Sequence, residues 1–154
     1  DGTLGLTADH GSGSDGHVDT VSVIDLTVSP PRVIDRVMVG DAPEGLAISP
    51  TGKIAVAVLL KGSGGIASDS WVYNRNGSVA VLEIEGKTVR KIDEVDVRGL
   101  PEGAVFTADG GYLYIGNFVD RDISVLKVDG TSVSNTGVLL KLPANPASMR
   151  GRNP

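Results

Sequence analysis

Pro43-Glu44-Gly45-Leu46-Ala47-Ile48-Ser49-Pro50-Thr51-Gly52-Lys53 returns 58 residues later as Pro101-Glu102-Gly103-Ala104-Val105-Phe106-Thr107-Ala108-Asp109-Gly110-Gly111. A shorter echo, Pro146-Ala147-Ser148-Met149, follows after 45 more. Repeats of this length built from short strands are the sequence mark of a β-propeller. In the best-defined copy, strands are expected over residues 44–49, 54–60, 77–85 and 89–97, which together make one four-stranded blade.

Turn chemistry separates those strands. Ser49-Pro50-Thr51-Gly52 carries Pro second and Gly fourth, which suits a type I reversal, and Glu85-Gly86-Lys87 closes the next hairpin. Val21-Ser22-Val23-Ile24-Asp25-Leu26 and Ile54-Ala55-Val56-Ala57-Val58 are apolar on both faces, as blades sandwiched between blades require. Ala47, Ala55, Ala57, Ala104 and Gly116 are small enough for inner strands crowded around an axis. Ile92, Val95 and Val97 instead alternate with charges that protect an outer edge. Nowhere do twelve residues hold a helical apolar spacing, so an all-β fold of about three four-stranded antiparallel blades is expected.

Composition excludes several functional classes. The 154 residues are 40% hydrophobic and 21% charged, enough for a packed core and unlike a disordered chain. A net charge of −5 with scattered basic residues leaves no footprint for a phosphate backbone, so nucleic acid is not an expected partner. No apolar run approaches the ~18 residues of a spanning helix, and membrane insertion is not expected. Asp1-Gly2-Thr3 begins no charged-then-apolar leader. The absence of cysteine removes disulfides, thiol catalysis and thiolate metal sites, and suits a cytosolic or a bacterial periplasmic setting.

Val21-Ser22-Val23-Ile24-Asp25 followed by the segment from Val37-Met38-Val39-Gly40-Asp41-Ala42 into the first repeat closely resembles the YVTN-type β-propeller repeat of exported bacterial and archaeal proteins. Tyr112-Leu113-Tyr114-Ile115-Gly116-Asn117 resembles the tyrosine-valine-threonine-asparagine stretch itself, with Ile-Gly in place of Val-Thr. The family includes lactonase-like propellers and surface-layer or cell-surface proteins, so the resemblance implies a periplasmic or extracellular location and a ring of about seven blades of roughly 40 to 45 residues. Its motif is structural and identifies a fold better than an activity.

The family's register divides the chain unevenly. Asp1-Gly2 falls where Thr51-Gly52 and Asp109-Gly110 stand. Residues 1–40 then hold strands 2–4 of a blade, and 41–98 a full blade with an insertion at 61–76. A second full blade spans 99–142, and 143–154 form the inner strand of the closing blade. The chain is accordingly expected to be the C-terminal half of a longer propeller. Three open blades would expose strand edges and a lateral apolar face, so the expected partner is the remaining N-terminal blades or another copy of the chain.

Function is expected on the rim formed by the loops leading into each inner strand and those between second and third strands. In the insertion, Trp71 and Tyr73 could flank a ligand with charge from Lys61, Asp69 and Arg75; alternatively Trp71 only anchors the loop. Gly62-Ser63-Gly64-Gly65 lacks the spacing of a phosphate loop. Glu44 and Glu102 occupy equivalent rim positions on adjacent blades, where the resemblance implies that many relatives carry His. They could share a proton, a cation or a metal, or could cap amides and pair with Arg98, Arg121 or Arg150. The candidate ligand-binding set is Glu44, Trp71, Tyr73, Arg75, Glu102, Asn117, Arg121 and Arg150, with Glu44 and Glu102 the catalytic candidates.

His10, Asp15, His17 and Asp19 are the candidate ligands for a calcium or magnesium ion, the only cofactor indicated, although their spacing matches no established pattern and suits a polar loop as well. Both histidines lie in one loop, so no Ser-His-Asp framework is recognisable. Two functions follow. One is a noncatalytic propeller of an exported or cell-surface protein that binds a small molecule, glycan or protein at its rim. The other is a lactonase-like hydrolase that opens a cyclic ester with rim carboxylates, with or without a divalent metal.

Overall fold

A computed structural model describes residues 2–151. The described residues hold eleven strands and no helix: β1 (Leu4–Asp9), β2 (Asp19–Asp25), β3 (Arg32–Gly40), β4 (Pro43–Ile48), β5 (Ile54–Leu59), β6 (Ser78–Glu85), β7 (Thr88–Asp96), β8 (Pro101–Phe106), β9 (Tyr112–Asn117), β10 (Asp122–Asp129) and β11 (Ser132–Lys141). They form three antiparallel meanders, β1-β2-β3, β4-β5-β6-β7 and β8-β9-β10-β11. The chain therefore builds three blades of a β-propeller, the first with three strands and the other two complete.

Period-two alternation explains why the middle blade is apolar on both faces. Ile54, Val56 and Val58 of β5 enter a core shared with Leu113, Ile115 and Leu126 of the third blade. Ala55, Ala57 and Leu59, one residue out of step, enter a second core with Val21, Val23 and Val39 of the first blade. All six are fully buried.

The repeat signature is reproduced in backbone detail. Gly52 and Gly110 both take positive φ, and each donates its N–H at 2.9 Å to the carbonyl three residues back, Ser49 or Thr107. Ala42 and Leu100, which precede the two repeat prolines, both adopt left-handed φ, 53° and 49°. The register shifts near Pro43 and Pro101 as each inner strand begins. It shifts again at matching places in the outer pairs, Val23/Ile24, Val81/Leu82 and Ser124/Leu126. Such bulges bend and twist the strand that carries them.

The glycine of Pro-Glu-Gly has a packing role. A Cβ on Gly45 would stand 2.0 Å from the Glu102 carbonyl oxygen, and one on Gly103 would stand 2.8 Å from the Met149 nitrogen. Only glycine lets neighbouring inner segments approach so closely.

The ends differ from the sequence expectation. No strand forms between 142 and 151. Pro146 and Met149 instead lie across Gly116 and Gly103 in irregular chain, because no neighbouring strand among the described residues pairs with this segment. The rest of the expected inner strand, 152–154, and the Asp1 half of the Asp1-Gly2 turn lie outside the described residues.

Candidate functional site

The rim is knitted together by its own loops. Leu60 and Lys61 donate backbone N–H groups to the Ala42 and Asp41 carbonyls at 3.0 and 3.4 Å. Leu100 N–H donates to Ser63 Oγ at 2.8 Å, and Phe118 N–H to the Leu100 carbonyl at 2.9 Å. The insertion therefore sits on the loops leading into β4 and β8, which fixes the register of the whole rim.

Glu44 and Glu102 follow the equivalent prolines of β4 and β8, adjacent inner strands. Glu44 is exposed and Glu102 half-buried. Neither carboxylate has a cationic or hydrogen-bonding partner among the described residues, so the expected pairing with rim arginines is not formed. Arg98 donates instead to Asp122 Oδ2 at 2.8 Å and Asp120 Oδ1 at 2.7 Å. Arg121 and Arg150 are exposed, and their side chains have no partner among the described residues. Burial, reinforced by the charge of Glu44, pushes the Glu102 carboxyl above the ordinary glutamate value.

Asn117 departs most from its expected role. It is fully buried, donates at 2.9 Å to both Asp122 Oδ1 and Ser124 Oγ, and accepts the Arg98 backbone N–H at 3.2 Å. With its amide committed inside the blade it cannot meet a ligand. Around it, Arg75 and Arg98 converge on Asp120, while Arg98 and Lys141 converge on Asp122. Burial disfavours the Asp120 charge, but the bond from Arg75 and the Gly99 N–H outweigh it and hold its pKa below the usual range. Arg75 is thereby spent on a bridge between the insertion and the third blade.

The first blade carries the counterpart of this hub. Asp9, at the equivalent end of β1, accepts hydroxyls from Thr7, Ser22 and Thr20 at 2.8, 2.6 and 2.9 Å. In the middle blade the position belongs to Leu59, paired with Ser78, and polarity moves outward. Glu94 there accepts Ser78 Oγ and Lys61 Nζ at 2.7 Å and Lys91 Nζ at 2.6 Å. Burial opposes ionisation, yet these donors pull the Glu94 pKa down to about 2. Aligning the three strand ends in the sequence would have exposed Asp9 and Asn117 as one structural position.

The structure does not gather the metal candidates. Asp15 holds the His17 ring at 3.2 Å on the surface, and Asp19 Oδ2 accepts the Ala42 N–H at 3.0 Å. His10 is exposed elsewhere on the loop. Among the described residues no three His, Cys, Asp or Glu side chains come together as a metal cluster. The acids are occupied in shaping their own loop and its junction with β4.

Trp71 is not a buried anchor. Its indole remains 82% exposed, with its outer ring edge against Gly16, while Tyr73 is 36% exposed. Between Trp71 and the first blade lies a cavity of about 320 Å³ lined by Gly16, Asp41, Lys61, Trp71, Asn74 and Glu94 among others, but not by Tyr73.

No protein-family model matches the chain, and no curated protein matches it. Solved structures do. The chain is similar to a putative 6-phosphogluconolactonase from Bacteroides fragilis, with TM-score 0.75 and 15% identity over 96% of this chain and 38% of that one. A periplasmic gluconolactonase from Pseudomonas aeruginosa gives 0.60 and 19% identity over 86% and 36% of the respective chains. Hydrazine synthase from Kuenenia stuttgartiensis gives 0.61 and 16% over 94% and 48%. At these identities the likeness is one of fold alone, and the chain spans less than half of each of these structures.

Proposed function

We propose that this chain is part of a larger propeller of the YVTN-repeat type, carried by an exported or cell-surface protein, whose rim binds a ligand. The remaining blades, or another copy of the chain, complete the ring. The observation that carries this reading is the pair Glu44 and Glu102: equivalent carboxylates on adjacent inner strands, neither neutralised by a cation among the described residues. Uncompensated acids held on a rigid scaffold favour a cationic group or a divalent calcium or magnesium ion that bridges them.

A second reading, a lactonase-like hydrolase, has its own support in the Glu102 carboxyl, which burial and the charge of Glu44 hold above the ordinary glutamate value, and in the names of two structural neighbours. In it one carboxylate accepts a proton from water as the water oxygen bonds to the lactone carbonyl carbon. The ring C–O bond then breaks and the departing oxygen takes the proton.

Melting of the complete protein with calcium, magnesium, diamines and gluconolactone, alongside lactone turnover, tests both readings. A ligand-induced rise in melting temperature that disappears in Glu44→Gln and Glu102→Gln, without turnover, supports the binding scaffold. Turnover lost in either variant supports the hydrolase. Ligand responses and turnover unchanged in both variants would remove the rim carboxylates from function.

A further inference from the structure

We infer that the cavity between the insertion and the first blade is a sugar-binding subsite in which Trp71 stacks on the face of a pyranose ring at the end of a glycan. The inference rests on the rim-binding reading and narrows it, but uses a different part of the rim from Glu44 and Glu102.

The site is built before any ligand arrives. A Cβ on Gly62 would stand 2.1 Å from the Val72 carbonyl oxygen, so the two ends of the loop touch directly. Asn74 Nδ2 donates to the Lys61 carbonyl at 2.7 Å, and Ser63 Oγ to the Leu60 carbonyl at 2.6 Å. On the opposite wall Gly16 takes φ +81°, and a Cβ there would strike the indole at 2.6 Å, so a residue without a side chain leaves room for the ring. Lys61, also lining the cavity, holds a left-handed φ of 50°. A large apolar ring that meets Gly16 along one edge while the residue stays 82% exposed is one that gains from being covered.

The polar complement decides the ligand class. Lys61 uses one donor on Glu94 and keeps two. The Asp41 carboxylate accepts the Asp15 N–H at 3.2 Å and has acceptor capacity to spare, and the Asn74 carbonyl oxygen has no partner among the described residues. Donors and acceptors thus both line the cavity that Trp71 borders. An apolar ligand would leave them unpaired, and an anion would meet the carboxylates of Asp41 and Glu94. A neutral sugar offers a C–H face to the indole and hydroxyls that both donate and accept. The volume of about 320 Å³ lies at the small end of ligand cavities and suits a single ring.

Trp71 is the only tryptophan among these 154 residues. Calorimetric titration of the complete protein with glucose, galactose, mannose and N-acetylglucosamine, and with their methyl glycosides, is expected to give a saturable response for at least one glycoside. By calorimetry Trp71→Ala should weaken that binding by about tenfold or more and Trp71→Phe by less, with melting temperatures unchanged. Glu44→Gln and Glu102→Gln should leave it intact.

The absence of any saturable response, or a response to free sugars that the methyl glycosides do not reproduce, overturns the assignment. So does sugar binding that survives Trp71→Ala and is lost in Glu44→Gln. If no sugar binds while another rim ligand still raises the melting temperature, the subsite fails and the rim-binding reading stands.

Discussion

The Glu102 carbonyl oxygen lies where the Cβ of any other residue at Gly45 would have to be, 2.0 Å from that position. The glycine after the first repeat glutamate is thus a condition for seating the second. Gly45→Ala drives a methyl into backbone, which cannot rotate away. It should cost about 3 kcal/mol in denaturant melts. Gly5→Ala, where the nearest atoms stand 3.6 Å away, is the control and should be neutral or about 0.5 kcal/mol stabilising.

Asn117 is a structural hub, and its removal should be read in stability. Asn117→Ala deprives Asp122 and Ser124 of a donor and the Arg98 N–H of its acceptor, all inside the blade. A loss of about 2–4 kcal/mol is expected by chemical denaturation. Ligand affinity measured well below the melting temperature should stay the same.

Two glutamates give opposite pH dependences. The folded pKa of Glu94 is depressed to about 2 from its ordinary 4.5, so its contribution is complete above the ordinary value and is lost as pH falls toward 2. With allowance for solvent screening, Glu94→Gln should lose on the order of 1–2 kcal/mol at neutral pH and little in strong acid. The folded pKa of Glu102 is raised, so stability is full below the ordinary glutamate value and declines as pH rises through the folded one. Glu102→Gln should therefore melt higher than the parent at about pH 7 and level with it at about pH 3.5. Melting curves of both variants across this range provide the check.

Arg121 holds φ 53° with an exposed side chain that has no partner among the described residues. Glycine reaches that conformation without strain and retains both backbone bonds, Arg121 N–H to the Phe118 carbonyl and Leu142 N–H to the Arg121 carbonyl. Arg121→Gly should stabilise by about 0.5–1 kcal/mol, and Arg121→Ala should not. A side chain kept at such a cost is a candidate for contact with a ligand, so the more stable variant should be assayed for weaker rim binding.

The fold was legible because its determinants are local and repeat: the Pro-Thr-Gly turn, the two-faced apolar run from Ile54 to Val58 and the small residues facing neighbouring blades. The strand order in the three sheets follows from that register. The chemistry of the rim was less legible. Arg75 and Arg98 stand where ligand groups stand, but their partners Asp120 and Asp122 come from the β9–β10 connection and the first residue of β10, which also engages Asn117, and only folding shows that the charges satisfy one another. Glu44 and Glu102 are the reverse case, with Arg98 engaged elsewhere and Arg121 and Arg150 exposed without a side-chain partner among the described residues. For segment 143–151, a repeat motif without a pairing strand was not enough to make a strand.

The two faces of β5 belong to different cores, Ile54, Val56 and Val58 to one and Ala55, Ala57 and Leu59 to the other. The middle blade is therefore the element on which both cores depend. Either flanking blade can open while the other core persists, whereas loss of the middle sheet dissolves both at once. Amide exchange in β5 should accordingly report the slowest, most global opening of the assembly, and the insertion above it sits on its least yielding part.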